Sequence, residues 1–391
     1  MKKNPYPIVL KILIIGFFLS SCGSADDRWQ AVPANPPGSS RLSELLRSDG
    51  IDGYATAVKP RKFKFPDDHG PHSEFRNEWW YFTGNLDGEA NERFGFELTI
   101  FRFSLTPAIT SAVDSAWQTN QVFIGHFAIT DVGNQAFHVA QRYSRGAVGL
   151  AGASAEPFRV WIDDWSIAEA GGAPGELPAW RLQARDTGFA VELDFVAEKP
   201  VVLNGDNGLS RKSAEVGNAS YYYSLPRLRT SGSLFVNGQS HAVTGLSWLD
   251  REWGSSALAR DQRGWDWFAL QLSDGTDLMF YVLRGTDGAP DEFSAGTWID
   301  VAGVANALAR DDVVIEVTDT WQNERGDRYP SAWNLSIPDR GVEISVRPVL
   351  ADQELTTNVR YWEGAVDVEG SSAGRIISGR GYVELTGYAG N

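Results

Sequence analysis

Apolar and polar residues alternate along most of the chain after about residue 61. From Phe94 to Ile100, within RFGFELTIFRF, every second residue is large and apolar, which is typical of a strand with one buried face. The pair Asp274-Gly275 separates two further apolar runs and predicts a tight hairpin turn. Long helical patterns are nearly absent. The pattern therefore predicts an all-β body, built as barrels or sandwiches.

One aromatic strand pattern occurs twice. Residues 79–88 (WWYFTGNLDG) and residues 265–275 (WDWFALQLSDG) place their aromatic residues, a leucine and an Asp-Gly pair almost in register. The repeat predicts two related β-barrels that each open with this strand, unless it is a chance match between aromatic-rich strands. We expect an N-terminal barrel domain at residues 61–254 and a C-terminal one at residues 255–391.

The N-terminus has the pattern of a targeting segment. Basic residues precede a short apolar run at residues 12–19, which is followed by small residues and Cys22. This order predicts a signal peptide at residues 1–21, too short to span a bilayer as a mature helix. The stretch Leu19 to Cys22 resembles a bacterial lipobox, so we expect lipidation at Cys22, the only cysteine of the chain. An ordinary cleaved signal with an unused thiol is the alternative.

Residues 22–60 are rich in Pro, Ser, Asp and Ala, a composition that predicts a flexible tether. Gly23 stands where an inner-membrane retention signal would carry Asp. We therefore expect an exported protein that is lipid-anchored in the cell envelope, at the outer membrane and facing the periplasm.

Composition and charge exclude some partners and leave others. The formal net charge of −15 argues against nucleic acid or an anionic bilayer surface as the main partner, because both require a basic face. Apolar residues make up 42% of the 391 residues, and fifteen are tryptophans. The chain can therefore build large cores and also present amphipathic aromatic surfaces.

Acidic side chains lie among tryptophans in residues 245–254 (GLSWLDREWG). In a strand, Trp248, Asp250 and Glu252 share one face, opposite Arg251 and Trp253. Two carboxyls in one apolar cavity do not both ionise readily, so the pKa of one should rise. A protonated carboxyl in a dry aromatic pocket is suited to protonating an alkene. Salt bridges in a turn at the domain junction are the alternative.

Other strands carry candidate pocket residues. Glu78 and Trp80 share a face of their strand. Either both line the pocket, or the tryptophan closes the floor of the barrel. Arg102 is expected to form an ion pair with Glu78. His126 alternates with apolar residues. This pattern predicts a core histidine whose ring nitrogens are hydrogen-bonded to a neighbour or, alternatively, a ligand contact.

Three consecutive tyrosines add phenol groups to the candidates. Tyr221 and Tyr223 face together, and their hydroxyls can steer a proton, orient a water molecule or simply pack.

Metal and cofactor signals are weak. His69 and His72 lie near acids, but the sequence offers no set of four ligands with fixed spacing, so no metal is expected. It has neither a glycine-rich phosphate loop nor a serine elbow, which argues against nucleotide cofactors and a serine-hydrolase mechanism. We expect no cofactor.

Five ordered motifs resemble one family: NEWWYFTGNL, YYYSLPRL, WLDREWG, GWDWFALQL and GYVELTGY. They are similar to the AttH-like family of lipocalin-like proteins, which includes the carotenoid 1,2-hydratases of the hydroxyneurosporene synthase type and exported proteins described as predicted secreted hydrolases. The resemblance extends from about residue 61 to the end. It implies two lipocalin-like barrels with a ligand site near the first barrel and the domain junction.

The resemblance also implies chemistry. Characterised relatives protonate a carbon-carbon double bond and add water, and the family's acid corresponds to Asp250. A His and a Trp that flank one residue upstream in the family are replaced here by Tyr221 and Tyr223, which argues against carotenoid hydration itself. Some exported members accompany ABC-type export systems.

Two functions follow as hypotheses. The first is an enzyme that binds an apolar molecule between the barrels and hydrates or isomerises a carbon-carbon double bond, with Asp250 as general acid and Glu252 or Tyr223 positioning water. Its expected ligand contacts are Trp248, Tyr221, Trp80, Glu78, His126 and Trp253. The second is a lipocalin-like carrier that exchanges a lipid or hydrophobic metabolite with an ABC-type transport system.

Overall fold

The structure is a computed structural model that describes residues 40–41, 51–107, 115–171 and 177–389. The signal peptide, Cys22 and most of the tether lie outside the described residues.

Strands make up nearly all the regular structure of the described residues, so the predicted all-β fold is confirmed. The exceptions are three short 3-10 helices, at Asp67–His69, Arg310–Asp312 and Pro338–Arg340. No helix in this part of the chain is long and apolar enough to cross a membrane.

The first barrel is a curled antiparallel sheet of thirteen strands. Alternation shapes it: in Phe189–Ala197 every second side chain is buried in the barrel core, because successive residues of a strand point to opposite faces. Its strands are β2 (Asn77–Gly88), β3 (Arg93–Ser104), β4 (Gln121–Asp131), β5 (Ala136–Arg145), β6 (Ala151–Ala155), β7 (Phe158–Ile162), β8 (Trp165–Glu169), β9 (Ala179–Asp186), β10 (Phe189–Ala197), β11 (Val202–Leu203), β12 (Leu209–Arg211), β13 (Ala219–Val236) and β14 (Gln239–Gly254). The spatial order is β5-β4-β3-β2-β14-β13-β10-β9-β8-β7-β6, with β11 and β12 paired to β13.

The second barrel is a sheet of eleven strands. They are β1 (Ser40–Arg41), β15 (Gln262–Leu272), β16 (Asp277–Gly285), β17 (Ala295–Ile299), β18 (Ala305–Ala309), β19 (Val314–Gln322), β20 (Arg328–Ile337), β21 (Val342–Pro348), β22 (Glu354–Thr356), β23 (Val359–Ser372) and β24 (Arg375–Leu385). The spatial order is β18-β17-β16-β15-β24-β23-β21-β20-β19, and β1 and β22 pair with β23. The pairing of β1 is parallel.

The predicted hairpin turn at Asp274-Gly275 is confirmed between β15 and β16. The Gly275 N–H donates to the Leu272 carbonyl at 3.0 Å, and the residue has a φ of +87°. Such a conformation favours glycine because it lacks a Cβ.

The outer faces of β2 and β3 pack against β23 and β24. A Cβ added at Gly95 would lie 2.7 Å from the Ala365 Cβ of the second barrel, so glycine permits the close approach of the two sheets. The Asn85 side-chain amide donates to the Gly381 carbonyl at 2.9 Å. Lys199 adds an ion pair of 2.6 Å to the buried Asp277. These contacts join the faces of the two barrels that form a pocket between them.

Candidate active site

A pocket of about 610 Å³, including its open mouth, lies between the two barrels. Both barrels supply its walls, which are largely aromatic. The lining residues are Trp79, Tyr81, Phe101, Lys212, Tyr222, Asp250, Glu252, Ala257, Trp265, Trp267, Tyr281, Leu283 and Glu384.

The repeated strand forms two of these walls. Trp79 and Tyr81 of β2 and Trp265 and Trp267 of β15 all line the pocket. Their neighbours Phe82 and Phe268 enter the separate barrel cores. The sequence repeat therefore supplies one aromatic wall from each barrel.

Asp250 lies on β14 with its side chain turned toward the second barrel and is only 3% exposed. Its Oδ1 accepts hydrogen bonds from Ser224 Oγ at 2.5 Å and from Trp248 Nε1 at 2.7 Å. Its Oδ2 accepts one from the Tyr222 hydroxyl. Burial raises the pKa of Asp250 to about 7, although these hydrogen bonds oppose the rise. The carboxyl can therefore hold and release a proton near neutral pH.

Tyr222 connects the acid to the second barrel. The indole N–H of Trp267 donates to the Tyr222 oxygen at 3.1 Å. Burial, followed by the charge of Asp250, raises the pKa of Tyr222 well above its usual value. The tyrosine is therefore a neutral phenol that donates to Asp250.

Glu252 has a different environment from Asp250. Lys212 Nζ lies 3.1 Å from its Oε1, and Ser220 also donates to it. Burial alone would lower the pKa of Lys212, but the neighbouring Glu252 and Tyr281 raise it above its usual value. Glu252 is thus the carboxylate of a buried ion pair, whereas the hydrogen bonds to Asp250 come from neutral groups.

Glu384 of β24 supplies another carboxyl and is half-buried at the pocket wall. Burial raises its pKa to about 8. The Trp265 side chain opposes this rise, and the charges of Asp250 and Glu252 add to it.

The AttH-like family profile matches residues 56–388. The chain belongs to the AttH-like family. In solved structures, an AttH candidate from Nitrosomonas europaea shares 33% identity with it at a TM-score of 0.75, covering 86% of this chain and 100% of that one. Kievitone hydratase from Nectria haematococca has the same fold, with 17% identity and a TM-score of 0.64, covering 87% of this chain and 97% of that one. No curated protein is similar enough in sequence to count as a match.

Within this AttH-like fold, other candidates from the sequence lie away from the pocket. Tyr223 points into the first barrel, where its hydroxyl lies 2.6 Å from His69 Nδ1. Tyr221 donates to the Lys59 carbonyl at 3.0 Å. Neither lines the pocket, because β13 alternates and presents Tyr222 on that side instead.

Glu78, Trp80 and Trp253 also belong to the first barrel rather than to the pocket. Glu78 is completely buried and forms ion pairs with Arg102 and Arg251, which confirms the expected pairing with Arg102. Burial alone would raise the pKa of Glu78, but the two arginines hold it well below its usual range.

The aromatic neighbours complete this cluster. The Arg251 guanidinium lies 4.0 Å from the ring centre of Trp80, and His72 stacks on Trp253 with ring centres 3.8 Å apart. His72 Nε2 lies 3.0 Å from Asp68 Oδ1. Together these contacts form a buried network with a structural role.

His126 is a core histidine satisfied by neighbours, as one of the two sequence interpretations predicts. Its Nδ1 lies 2.6 Å from the Tyr361 hydroxyl and its Nε2 lies 2.7 Å from the Gln141 amide. Burial lowers its pKa to about 3, so the ring is neutral. It connects the barrels and does not line the pocket.

A pair of buried glutamates lies in the interface beside the pocket. Tyr81, a lining residue, donates to Glu363 Oε2 at 2.7 Å, and Thr99 donates to Glu97. Burial raises the pKa of both glutamates well above the usual value, and the charges of Glu97 and Glu384 contribute at Glu363. Burial therefore favours the protonated form of both carboxyls.

Sequence reasoning missed Tyr222, Lys212, Trp267 and Glu384. Three of them left a signal: Tyr222 lies on the opposite face of its strand from Tyr221 and Tyr223, Trp267 lies in the repeated aromatic strand, and Glu384 lies in the closing motif GYVELTGY. Lys212 follows a short strand and carries no pattern of its own.

Proposed function

We propose that this protein adds water across a carbon-carbon double bond of an apolar molecule, with Asp250 as the proton donor. The observation that carries the proposal is a carboxyl withdrawn from solvent, with its pKa raised to about 7, beside an aromatic-walled pocket. A general acid works best when its pKa lies near the working pH. Kievitone hydratase, a neighbour in fold, is a hydratase by name.

In the first step the O–H bond of Asp250 breaks and the alkene's π electrons form a new C–H bond. The adjacent carbon becomes a carbocation and a water oxygen adds to it. The resulting oxonium ion loses one proton to a base in the pocket or to bulk water, which leaves an alcohol. Trp79, Trp265 and Trp267 line the pocket, where indole rings can stabilise the positive charge. Alkenes that give tertiary cations, as isoprenyl groups do, fit this environment best.

The test uses the full chain in water labelled with heavy oxygen, with kievitone and a panel of isoprenyl alkenes as substrates. Mass spectrometry should detect a product that is heavier by one labelled water. Asp250→Asn should lower turnover by about 10² to 10⁴-fold, while ligand affinity, measured by quenching of tryptophan fluorescence, stays close to that of the parent.

Asp339→Asn is the matched control, because Asp339 is exposed in a short helix of the second barrel. It should leave turnover unchanged. Parent-like turnover in Asp250→Asn would show that the proton comes from another group, and the proposal would then fail.

The second candidate function is that of a carrier, which binds a ligand without catalysing a reaction. It is favoured by the open, aromatic pocket, since such a site binds apolar ligands without needing an acid. In this version a lipid-anchored protein of the cell envelope holds a lipid or hydrophobic metabolite for an ABC-type export system. Mass spectrometry of molecules that co-purify from an envelope extract separates the two functions: a hydrated product supports the enzyme, and an unchanged ligand supports the carrier.

A further inference from the structure

Glu384 approaches the pocket from the opposite barrel to Asp250. On β24 it lies directly across from Trp267 of β15. Trp267 donates to Tyr222, which donates to Asp250. Two carboxyls thus flank the same aromatic pair, one from each barrel, and both line the pocket.

The three pocket carboxyls are not equivalent. Glu252 is paired with Lys212 at 3.1 Å, and Asp250 accepts three hydrogen bonds from neutral groups. Glu384 is half-buried, so part of its side chain remains accessible from the pocket. A water molecule that attacks a bound cation needs an accessible base, and this position provides one.

We propose that Glu384 is the general base of the hydration, the group that takes the proton from the attacking water. The inference rests on the proposed function and adds a second catalytic residue to it. As the water oxygen forms its bond to the carbocation, one water O–H bond breaks and the proton passes to the Glu384 carboxylate. The Asp250 carboxyl has by then lost its proton to carbon. One turnover therefore moves a proton from Asp250 to Glu384, and water at the open mouth returns it.

Charge supports this pairing. The negative charge of Asp250 is one of the causes that raise the pKa of Glu384. Linkage makes the effect reciprocal, so a proton on Asp250 favours an ionised Glu384. The pair carries one proton both before and after the reaction. Because the pKa of Glu384, about 8, lies above that of Asp250, about 7, the reactive form with the proton on Asp250 is the minor one of the two singly protonated forms. The net charge of the pocket is unchanged across the step.

Other titratable groups interact with Glu384 or line the same pocket. They come from β14, from the segment after β12, from the adjacent strand β23 and from the facing strands β2 and β3. These groups are Asp250, Glu252, Lys212, Tyr361, Glu363, Tyr81 and Glu97.

Two variants of the full chain test whether Glu384 is the general base. The substrate is any alkene of the panel that the parent protein hydrates. Glu384→Gln should reduce kcat by about 10² to 10⁴-fold and remove one limb of the pH profile. Glu384→Ala should be equally impaired and should recover activity when formate is added, because formate can replace the missing carboxylate. Glu343→Gln, at an exposed position in the second barrel, should behave as the parent does. A parent-like kcat and pH profile in Glu384→Gln would overturn the proposal.

A measurement without substrate separates this inference from the proposed function. Carboxyl titrations by NMR on protein with isotope-labelled Asp and Glu should show that Asp250→Asn lowers the midpoint of Glu384. Glu384→Gln should likewise lower the midpoint of Asp250. Unmoved midpoints would overturn the pairing yet leave Asp250 as acid, which its own variant tests. Full turnover in Asp250→Asn would instead remove the hydration mechanism itself.

Discussion

The indole N–H of Trp267 in the second barrel donates a 3.1 Å hydrogen bond to the hydroxyl oxygen of Tyr222 in the first. Because the indole nitrogen can only donate, it directs the phenol's own hydrogen toward Asp250. The environment of the acid is therefore completed by a residue from the other barrel. The hydrogen bonds that Asp250 accepts therefore depend on the packing of the two barrels against each other.

Replacing Tyr222 with Phe tests this connection. The change removes a hydrogen bond to the ionised form of Asp250, so the pKa of Asp250 should rise. The limb of the pH profile that reports loss of the Asp250 proton should therefore move to higher pH. The buried Trp267 N–H also loses its acceptor, which should destabilise the fold by about 1–3 kcal/mol. Urea unfolding and the pH profile of turnover measure the two effects. Tyr143→Phe, at an exposed tyrosine, should change neither, and an unmoved pH profile in Tyr222→Phe would contradict the connection.

The buried pair Glu97 and Glu363 predicts an unusual dependence of stability on pH. Both carboxyls have a pKa in the fold above the usual value of 4.5, so the folded state holds their protons more tightly than the unfolded state does. The free energy of unfolding should therefore fall as pH rises above about 4.5. The double variant Glu97→Gln, Glu363→Gln should be more stable than the parent at neutral pH, and its stability should depend less on pH above about 4.5.

Urea unfolding at several pH values checks this prediction. Glu369→Gln is the control, since Glu369 is exposed on the same strand as Glu363. Stability curves that run parallel for the double variant and the parent would show that the two glutamates ionise normally in the fold.

Gly95 is expected to set the distance between the barrels. Gly95→Ala would place a Cβ within 2.7 Å of the Ala365 Cβ, so the sheets must separate, at a cost of about 1–3 kcal/mol. Adding Ala365→Gly should recover part of this loss and give a non-additive double-mutant cycle. Gly133→Ala, where the nearest atom is 3.8 Å away, should be close to neutral. Additive effects of the two interface changes would rule out the direct contact.

The fold could be predicted because the side chains of a strand point alternately to its two faces. A strand with one buried face therefore has an apolar residue at every second position of the sequence. The hairpin at Asp274-Gly275 and the repeated aromatic strand both rest on local patterns, and the structure contains both. The alternation also showed that Asp250 and Glu252 share a face. It could not show which face looks outward, because that depends on the buried Glu78 that neutralises Arg251 on the other side.

The site was harder to predict because its parts meet only through tertiary packing. Tyr222 and Tyr223 are adjacent tyrosines on opposite faces of β13. The sequence does not show which of them faces the second barrel, where Trp267 donates to Tyr222. Glu384 comes from the far end of the sequence and reaches the pocket through the pairing of β24 with β15. No local sequence pattern predicts these contacts between distant parts of the chain.

The aromatic strand that occurs in both halves has an evolutionary consequence. Trp79 and Trp265 pack against the clusters between the barrels, while each barrel keeps its own core. Mutations at these two tryptophans can reshape the space for a guest molecule while the interior of each half is preserved. Because each wall belongs to a different barrel, the two walls can change one at a time.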